Sequence, residues 1–260
     1  MTNGVGAWFV SSQTRREAEL KLFCFPYAGG TSLIYRDWAK FIPATIQVIA
    51  AELTGRGARL KEPPYASLPP LIDDLADFIL PLLDRPFAFF GHSMGALIAF
   101  ELSRHLRRRH NREPELLLVS GRRAPQLPND EPPKYNLPDD EFKEELQRIN
   151  GTPKEVLEHA ELMELMIPLL RADFAVTQTY EYSDDAPLNC PIVTYGGLQD
   201  EVTRDLLVPW QEQTYSSHAL HMLPGGHFFI RSAQTLLLES IIRELNKVIV
   251  HARPRATKNY

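Results

Sequence analysis

The sequence is poor in cysteine, lacks a long apolar run and carries no excess of basic charge. Its 260 residues include only Cys24 and Cys190, too few for a disulfide framework or a cysteine-based metal site. No run of about 18 apolar residues could cross a membrane, and the N-terminus has no basic start followed by an apolar segment. The formal charge of −5 disfavours nucleic acid as a partner. We therefore expect a cytoplasmic protein without a metal ion that binds neither membranes nor nucleic acid.

Short apolar runs alternate with longer helical patterns along the chain. Hydrophobic residues make up 44 % and charged residues 23 %, which is typical of a globular protein and excludes a disordered chain. The apolar runs are mostly continuous, as in parallel strands that are buried on both faces. The sequence thus predicts an α/β fold, with a mostly parallel central sheet and helices on both faces. The predicted strands are Leu22–Phe25, Ile46–Ala50, Phe87–Phe90, Leu116–Val119, Ile192–Tyr195 and Ala219–Leu223.

One interval, residues 124–185, interrupts this alternation. It contains no convincing strand, begins with a proline-rich loop and continues with helical patterns near residues 139–149, 153–159 and 162–182. About 60 residues of helix between two strands is too long for an ordinary crossover. We expect an inserted helical subdomain packed over the edge where the strands end.

This insert divides the chain into a core and a lid. We predict that residues 1–123 and 186–250 form the core and that residues 124–185 form a helical lid. Residues 251–260 are polar and basic and contain a proline, so we expect a flexible tail there.

The strongest chemical signal is a serine between two glycines where a predicted strand meets a predicted helix. Residues 91–95 read Gly-His-Ser-Met-Gly, a G-x-S-x-G pattern. A serine on such a sharp turn exposes its hydroxyl, and the adjoining helix N-terminus offers N–H groups to a developing oxyanion. The pattern predicts that Ser93 is a catalytic nucleophile.

A nucleophilic serine needs a base and an acid that orients the base. Of the eight histidines, His227 follows the last predicted strand and precedes the last predicted helix, which fits the order Ser, acid, His of an α/β-hydrolase. Asp200 follows the strand of residues 192–195 after a glycine turn, so we predict it as the acid. Glu201 and Asp205 are nearby alternatives, and capping of the next helix is the structural alternative for Asp200.

The loop after the first predicted strand reads Pro-Tyr-Ala-Gly-Gly over residues 26–30. In an α/β-hydrolase the corresponding loop supplies one backbone N–H to the oxyanion, opposite the N–H of the residue after the serine. Ala28 and Met94 are therefore the predicted donors, and an ordinary tight turn is the alternative interpretation of the loop.

Nine short segments follow one another along the chain: FPYAGG (25–30), TGRGARL (54–60), GHSMG (91–95), FELSRHL (100–106), VSGRRAP (119–125), GTPKEVL (151–157), LLRADF (169–174), GGLQDE (196–201) and LPGGHFF (223–229). In this order and spacing they resemble the stand-alone type II thioesterases of the α/β-hydrolase superfamily, which work beside polyketide synthases and nonribosomal peptide synthetases. The resemblance covers residues 20–248. The chain departs from the family pattern at Tyr27, where His is common, at Thr54, where Pro is usual, and after Asp200, where Asp-Pro-x-Val is common.

The resemblance implies an acyl-thioester hydrolase with Ser93, Asp200 and His227 as its triad and a helical lid over the site. It implies a monomer without a cofactor, because the substrate is carried on the phosphopantetheine arm of a partner acyl or peptidyl carrier protein. The expected role is editing, the removal of stalled or wrong acyl groups. The alternatives are product release, a general carboxylesterase acting on free esters, and a binding protein with a vestigial triad.

Overall fold

A computed structural model describes residues 8–11, 13, 15–129, 132–149 and 159–252. A seven-stranded sheet forms the centre of this part of the chain. Its strands are β1 (Phe9–Val10), β2 (Leu20–Phe25), β3 (Ile46–Ala51), β4 (Phe87–His92), β5 (Leu116–Ser120), β6 (Ile192–Gly197) and β7 (His218–Leu223). Their order across the sheet is β1-β3-β2-β4-β5-β6-β7.

The sheet is parallel apart from one edge. Strands β2 to β7 pair in parallel, and every residue of β2, β4, β5 and β6 is buried. The predicted mostly parallel sheet is confirmed. The sequence did not predict β1, a two-residue strand that pairs antiparallel with β3 through Phe9 and Ala51.

Helices cover both faces of the sheet, so that two apolar cores form. Leu75 and Ala99 pack with Phe23 on one face, while Trp38 and Ile241 belong to the core on the other. No helix in the described ranges is long and apolar enough to cross a membrane. The helices are α1 (Leu68–Ile79), α2 (Met94–His110), α3 (Asp139–Ile149), α4 (Ala160–Gln178), α5 (Arg204–Leu207), α6 (Phe229–Ser232) and α7 (Gln234–Ala252), with 3-10 segments at Ser32–Lys40, Gly57–Arg59, Leu80–Leu82 and Val208–Gln213.

The insert between β5 and β6 contains α3 and α4 among its described residues. The two helices share an apolar cluster of their own, separate from the cores at the sheet. The cluster consists of Phe142, Leu146, Met163, Ile167 and Leu170. The helix predicted near residues 153–159 lies outside the described residues apart from His159, which immediately precedes α4. Most of the predicted tail at 251–260 also lies outside them, although α7 extends to Ala252.

Candidate active site

Ser93 is the single residue that joins β4 to α2. Its φ is +54°, a positive value that costs a non-glycine residue on the order of 1–3 kcal/mol, and such strained residues cluster at functional sites. A Cβ on Gly91 would lie 2.0 Å from the carbonyl oxygen of Gly95, and a Cβ on Gly95 would lie 2.0 Å from that of Phe25. Both glycines are therefore required by the close packing of this turn.

His227 and Asp200 meet across two loops that follow neighbouring parallel strands. The His227 Nδ1 lies 2.9 Å from Oδ2 and 3.2 Å from Oδ1 of Asp200. The Asp200 side chain is 2 % exposed and that of His227 is 21 % exposed. The carboxylate also accepts a hydrogen bond from the Val202 backbone N–H, which fixes its orientation toward the imidazole.

Backbone hydrogen bonds join the two loops that carry this pair. Leu198 N donates to Leu223 O, and Gln199 N donates to Gly225 O. The Gly225 N–H in turn donates to the side-chain oxygen of Gln199 at 2.6 Å. The loop after β6 is thus attached to the loop after β7, so that the carboxylate is held relative to the imidazole.

The alternative acids Glu201 and Asp205 lie elsewhere. Glu201 is exposed and pairs with Arg148 of α3. Asp205 is exposed in the first turn of α5. Among the described residues, the carboxylate that hydrogen-bonds to His227 is that of Asp200.

The segment Tyr27–Gly30 forms a tight turn at the end of β2. Gly30 N donates to Tyr27 O at 2.8 Å, and Gly29, at the third position, has a φ of +74°. A positive φ there is what a type II turn requires. Within the described chain, the Ala28 N–H donates to no backbone oxygen. The Met94 N–H lies in the first turn of α2, where N–H groups have no partner within the helix.

His92, which was not predicted to take part, lies buried beneath the site. Its Nδ1 is 2.9 Å from the Ser120 hydroxyl oxygen, and its ring centroid is 5.2 Å from that of His227. Burial, and then the charge of His227, hold the pKa of His92 well below its usual range. His92 is therefore neutral next to His227 and adds no positive charge beside that imidazole. In the sequence, the feature that could have indicated this role is the position of His92 immediately before Ser93.

All five predicted site residues, Ser93, Asp200, His227, Ala28 and Met94, line one cavity of about 1090 Å³. Apolar residues of α3 and α4 form part of its wall, among them Leu146, Met166, Leu170 and Phe174. The cavity therefore lies between the ends of the strands and the insert. Within the described ranges, no group of three or more His, Cys, Asp or Glu residues could hold a metal ion.

Comparisons with known proteins agree with this geometry. A family model described as the thioesterase domain matches residues 20–249. The gramicidin S biosynthesis protein GrsT of Aneurinibacillus migulanus is 43 % identical over 94 % of this chain and 96 % of its own length. Two solved structures are also similar. RedJ, a thioesterase of the prodiginine pathway in Streptomyces coelicolor, has a TM-score of 0.84 and 35 % identity over 89 % of this chain and 92 % of its own. The type II thioesterase BorB of the borrelidin cluster has a TM-score of 0.85 and 31 % identity over 92 % and 98 %.

The family match spans strands β2 to β7, the serine turn, the insert and the loops of Asp200 and His227. The solved relatives share the same α/β fold over nearly the whole chain. This chain belongs to the thioesterase domain family and is a thioester hydrolase similar to the type II thioesterases of polyketide and nonribosomal peptide pathways.

Proposed function

We propose that this enzyme is a stand-alone editing thioesterase that hydrolyses acyl groups from the phosphopantetheine arm of acyl or peptidyl carrier domains. The observation that carries the proposal is the convergence of Ser93, the Asp200–His227 pair and the turn at Ala28 on one cavity. The names of its relatives, which refer to gramicidin S, prodiginine and borrelidin biosynthesis, support a synthase as the source of the substrate.

The reaction proceeds in two acyl-transfer steps. His227 takes the proton of the Ser93 hydroxyl as its oxygen attacks the thioester carbonyl, and the N–H groups of Ala28 and Met94 donate to the oxyanion. Collapse expels the thiolate and leaves an ester on Ser93, and the thiolate then takes the proton from His227, which becomes neutral again. His227 then deprotonates a water molecule that attacks this ester, and the same proton returns to Ser93 as the carboxylic acid leaves. Asp200 keeps His227 in the tautomer that accepts at Nε2 and stabilises its cation.

A thioester suits this site because a thiol, with a pKa of about 8.5, leaves readily without protonation. We propose that residues 124–185 act as a helical lid on a core formed by residues 1–123 and 186–250. Leu170 and Phe174 of α4 contribute apolar surface to the wall of the cavity that Ser93 also lines, which supports this division.

We also propose a partner and a compartment for this enzyme. The substrate is delivered by a carrier protein, and the thioesterase itself works as a monomer without a cofactor. Cys24 and Cys190 are free and buried, which supports work in the reducing cytoplasm, where such carrier thioesters are made.

The test compares acyl groups loaded on a carrier protein with the same groups on N-acetylcysteamine and in simple esters. We expect faster release from the carrier and loss of that release in Ser93→Ala. Equal kcat/KM values for carrier-bound and free substrates would favour a general esterase. A preference for one mature product over short acyl groups would favour product release. Absence of turnover together with absence of fluorophosphonate labelling at Ser93 would exclude a hydrolase.

A further inference from the structure

Arg56 and Asp173 form a buried ion pair between two segments that are far apart in the sequence. Arg56 follows β3, whereas Asp173 lies on α4 of the insert. The Arg56 Nη2 donates to Oδ1 at 2.7 Å and Nη1 donates to Oδ2 at 2.8 Å, a bidentate arrangement. Each side chain is only 3 % exposed. The pair therefore joins the insert to the core in a setting from which water is excluded.

The same two side chains hold the turn that carries Ala28. The Gly29 backbone N–H donates to Asp173 Oδ2 at 2.7 Å. The Arg56 Nη1 also donates to the Gly30 carbonyl oxygen at 3.1 Å. The turn is thus hydrogen-bonded on both its N–H and its carbonyl side by one ion pair.

Side-chain packing also connects α4 to this turn. A Cβ on Gly29 would lie 2.6 Å from Cδ2 of Leu170, which is on the same helix as Asp173. The Asp173 contact fixes the plane of the peptide between Ala28 and Gly29. The Ala28 N–H belongs to the preceding peptide, whose Tyr27 carbonyl oxygen accepts from the Gly30 N–H. The two peptides are consecutive in one turn, so a movement of Gly29 also changes the direction of the Ala28 N–H.

A buried ion pair is a weak source of stability, because the desolvation of both charges offsets most of their attraction. It is a strong source of orientation, since bidentate geometry allows one arrangement of the two groups. We propose that Asp173 and Arg56 are positioning residues that hold the oxyanion turn, Tyr27–Gly30, which carries the Ala28 N–H. The insert then sets the rate of the chemical step through these two residues. This inference rests on the proposed roles of Ser93 and Ala28.

The test uses Asp173→Asn and Arg56→Lys, each of which keeps part of the hydrogen bonding. We expect kcat to fall on the order of 10- to 100-fold, up to the loss seen when one oxyanion donor is removed, with KM changed less than about twofold. The affinity of an alkyl boronic acid, whose serine adduct resembles the tetrahedral intermediate, should fall by a similar factor. A purely structural role would not produce this parallel loss.

Glu101→Gln is the matched control. Glu101 pairs with the buried Arg104 at 2.7 Å and binds the Tyr180 hydroxyl near the end of the insert, but does not contact the oxyanion turn. This variant should lower the melting temperature and leave kcat and boronate affinity unchanged. An unchanged kcat in Asp173→Asn, or equal losses in Glu101→Gln, would overturn the inference. These rates can be measured on nitrophenyl esters, so that a lack of carrier preference would count against the editing function alone.

A second inference concerns the charged side chains that line the cavity, and it does not depend on the first. Asp200 pairs with His227, and Glu201 pairs with Arg148. Of the described carboxylates, none forms an ion pair with Arg122 or Arg123, which also line the cavity. The Nε atoms of both arginines are buried without a hydrogen-bond partner in the described chain. Burial lowers the pKa of Arg122 to about 10, as expected for a cation without a counter-charge.

Arg122 and Arg123 follow β5 after a single residue, Gly121, next to the serine turn. The Ser93 N–H donates to the carbonyl oxygen of Ser120, two residues before Arg122. A guanidinium group binds phosphate and carboxylate oxygens through paired hydrogen bonds. We infer that Arg122 and Arg123 form a subsite for an anionic oxygen group of the thioester substrate. This inference also rests on the proposed function, and the group is either the phosphate of the arm or a carboxylate on the acyl chain.

Three thioesters separate the two sources. Butyryl-N-acetylcysteamine has no anionic group, butyryl-coenzyme A adds phosphate, and succinyl-N-acetylcysteamine adds a carboxylate to the acyl chain. If the phosphate is bound, Arg122→Gln and Arg123→Gln should lower kcat/KM roughly tenfold on the coenzyme A thioester alone, the loss expected for one charge-assisted contact. If the carboxylate is bound, the same loss should occur on the succinyl thioester alone.

Arg112→Gln is the matched control, since Arg112 is exposed beyond the end of α2 and contacts the Leu83 carbonyl oxygen. It should affect none of the three substrates. Equal losses on all three in Arg122→Gln and Arg123→Gln, or no loss on any, would overturn the anion subsite. A wild-type enzyme inactive on every thioester would instead contradict the proposed function, and fluorophosphonate labelling of Ser93 would show whether the nucleophile is intact.

Discussion

Asp200 presents both of its carboxylate oxygens to Nδ1 of His227, at 2.9 and 3.2 Å. Because the carboxylate is buried, its charge acts on the imidazole with little screening by solvent. We expect Asp200→Asn to lower kcat on the order of 10⁴-fold, since an amide no longer favours the tautomer with a free Nε2. Steady-state hydrolysis of an acyl thioester measures this loss.

Glu201→Gln provides the comparison for Asp200→Asn. Glu201 is adjacent in sequence but points to Arg148 and is exposed, so its loss should change kcat less than about twofold and stability by less than about 1 kcal/mol. A larger loss in Glu201→Gln than in Asp200→Asn would assign the acid to Glu201 instead.

The serine turn should not tolerate a methyl group at Gly91. The added Cβ would meet the Gly95 carbonyl oxygen at 2.0 Å, and a backbone atom cannot move away as a flexible side chain can. We expect Gly91→Ala to lower the free energy of unfolding by about 3 kcal/mol or more, measured by urea denaturation. Gly226→Ala is the control, because its Cβ would lie 3.5 Å from the Gln199 carbonyl oxygen. Similar stabilities of the two variants would contradict the steric argument.

The sheet could be predicted because buried parallel strands are continuous apolar runs, as the run Phe87–Phe90 within β4 shows. The position of Ser93 followed from local spacing, and His227 and Asp200 followed from the order of strands. The strand Phe9–Val10 was missed because two residues are too short to form a pattern. The catalytic roles of these residues stay predictions until activity is measured.

Polar contacts between residues far apart in the sequence could not be predicted from the sequence. Arg56 and Asp173 are 117 residues apart; Arg56 lies in a segment that was noted only as part of a family resemblance, and Asp173 lies in a predicted helix whose pattern indicates no partner for it. Charged side chains are rarely fully buried unless paired, so no local pattern indicates that these two meet. The sequence around His92 likewise does not indicate its contact with the Ser120 hydroxyl.

The two cysteines should be unreactive in the folded enzyme. Burial raises the pKa of Cys24 well above its usual range and that of Cys190 to about 12, and the thiolate is the reactive form. We expect Ellman's reagent to modify neither thiol in the native enzyme at pH 8 and both in urea, with activity unchanged by treatment of the native form. Rapid modification with loss of activity would show that a thiol is accessible.

Stability should fall on the acid side of neutrality because His92 is buried in its neutral form. Its pKa in the folded enzyme lies well below the value near 6.5 of the unfolded chain. The unfolded state therefore binds one more proton than the folded state once the pH drops below about 6.5. The free energy of unfolding then falls with decreasing pH, and its slope approaches about 1.4 kcal/mol per pH unit. The stabilisation is fully present above this pH and is lost as the pH falls toward the folded-state pKa.

Urea denaturation between pH 7.5 and 5.5 measures this slope in the wild type and in His92→Gln, an amide that can still bond to the Ser120 hydroxyl. His105, His218 and His221 also have pKa values lowered by burial, so they contribute in the same direction in both proteins. The difference between the two slopes isolates His92 and should approach one proton. Equal slopes, or a His92 imidazole that titrates near pH 6.5 in the NMR spectrum of the folded wild type, would contradict the buried neutral state.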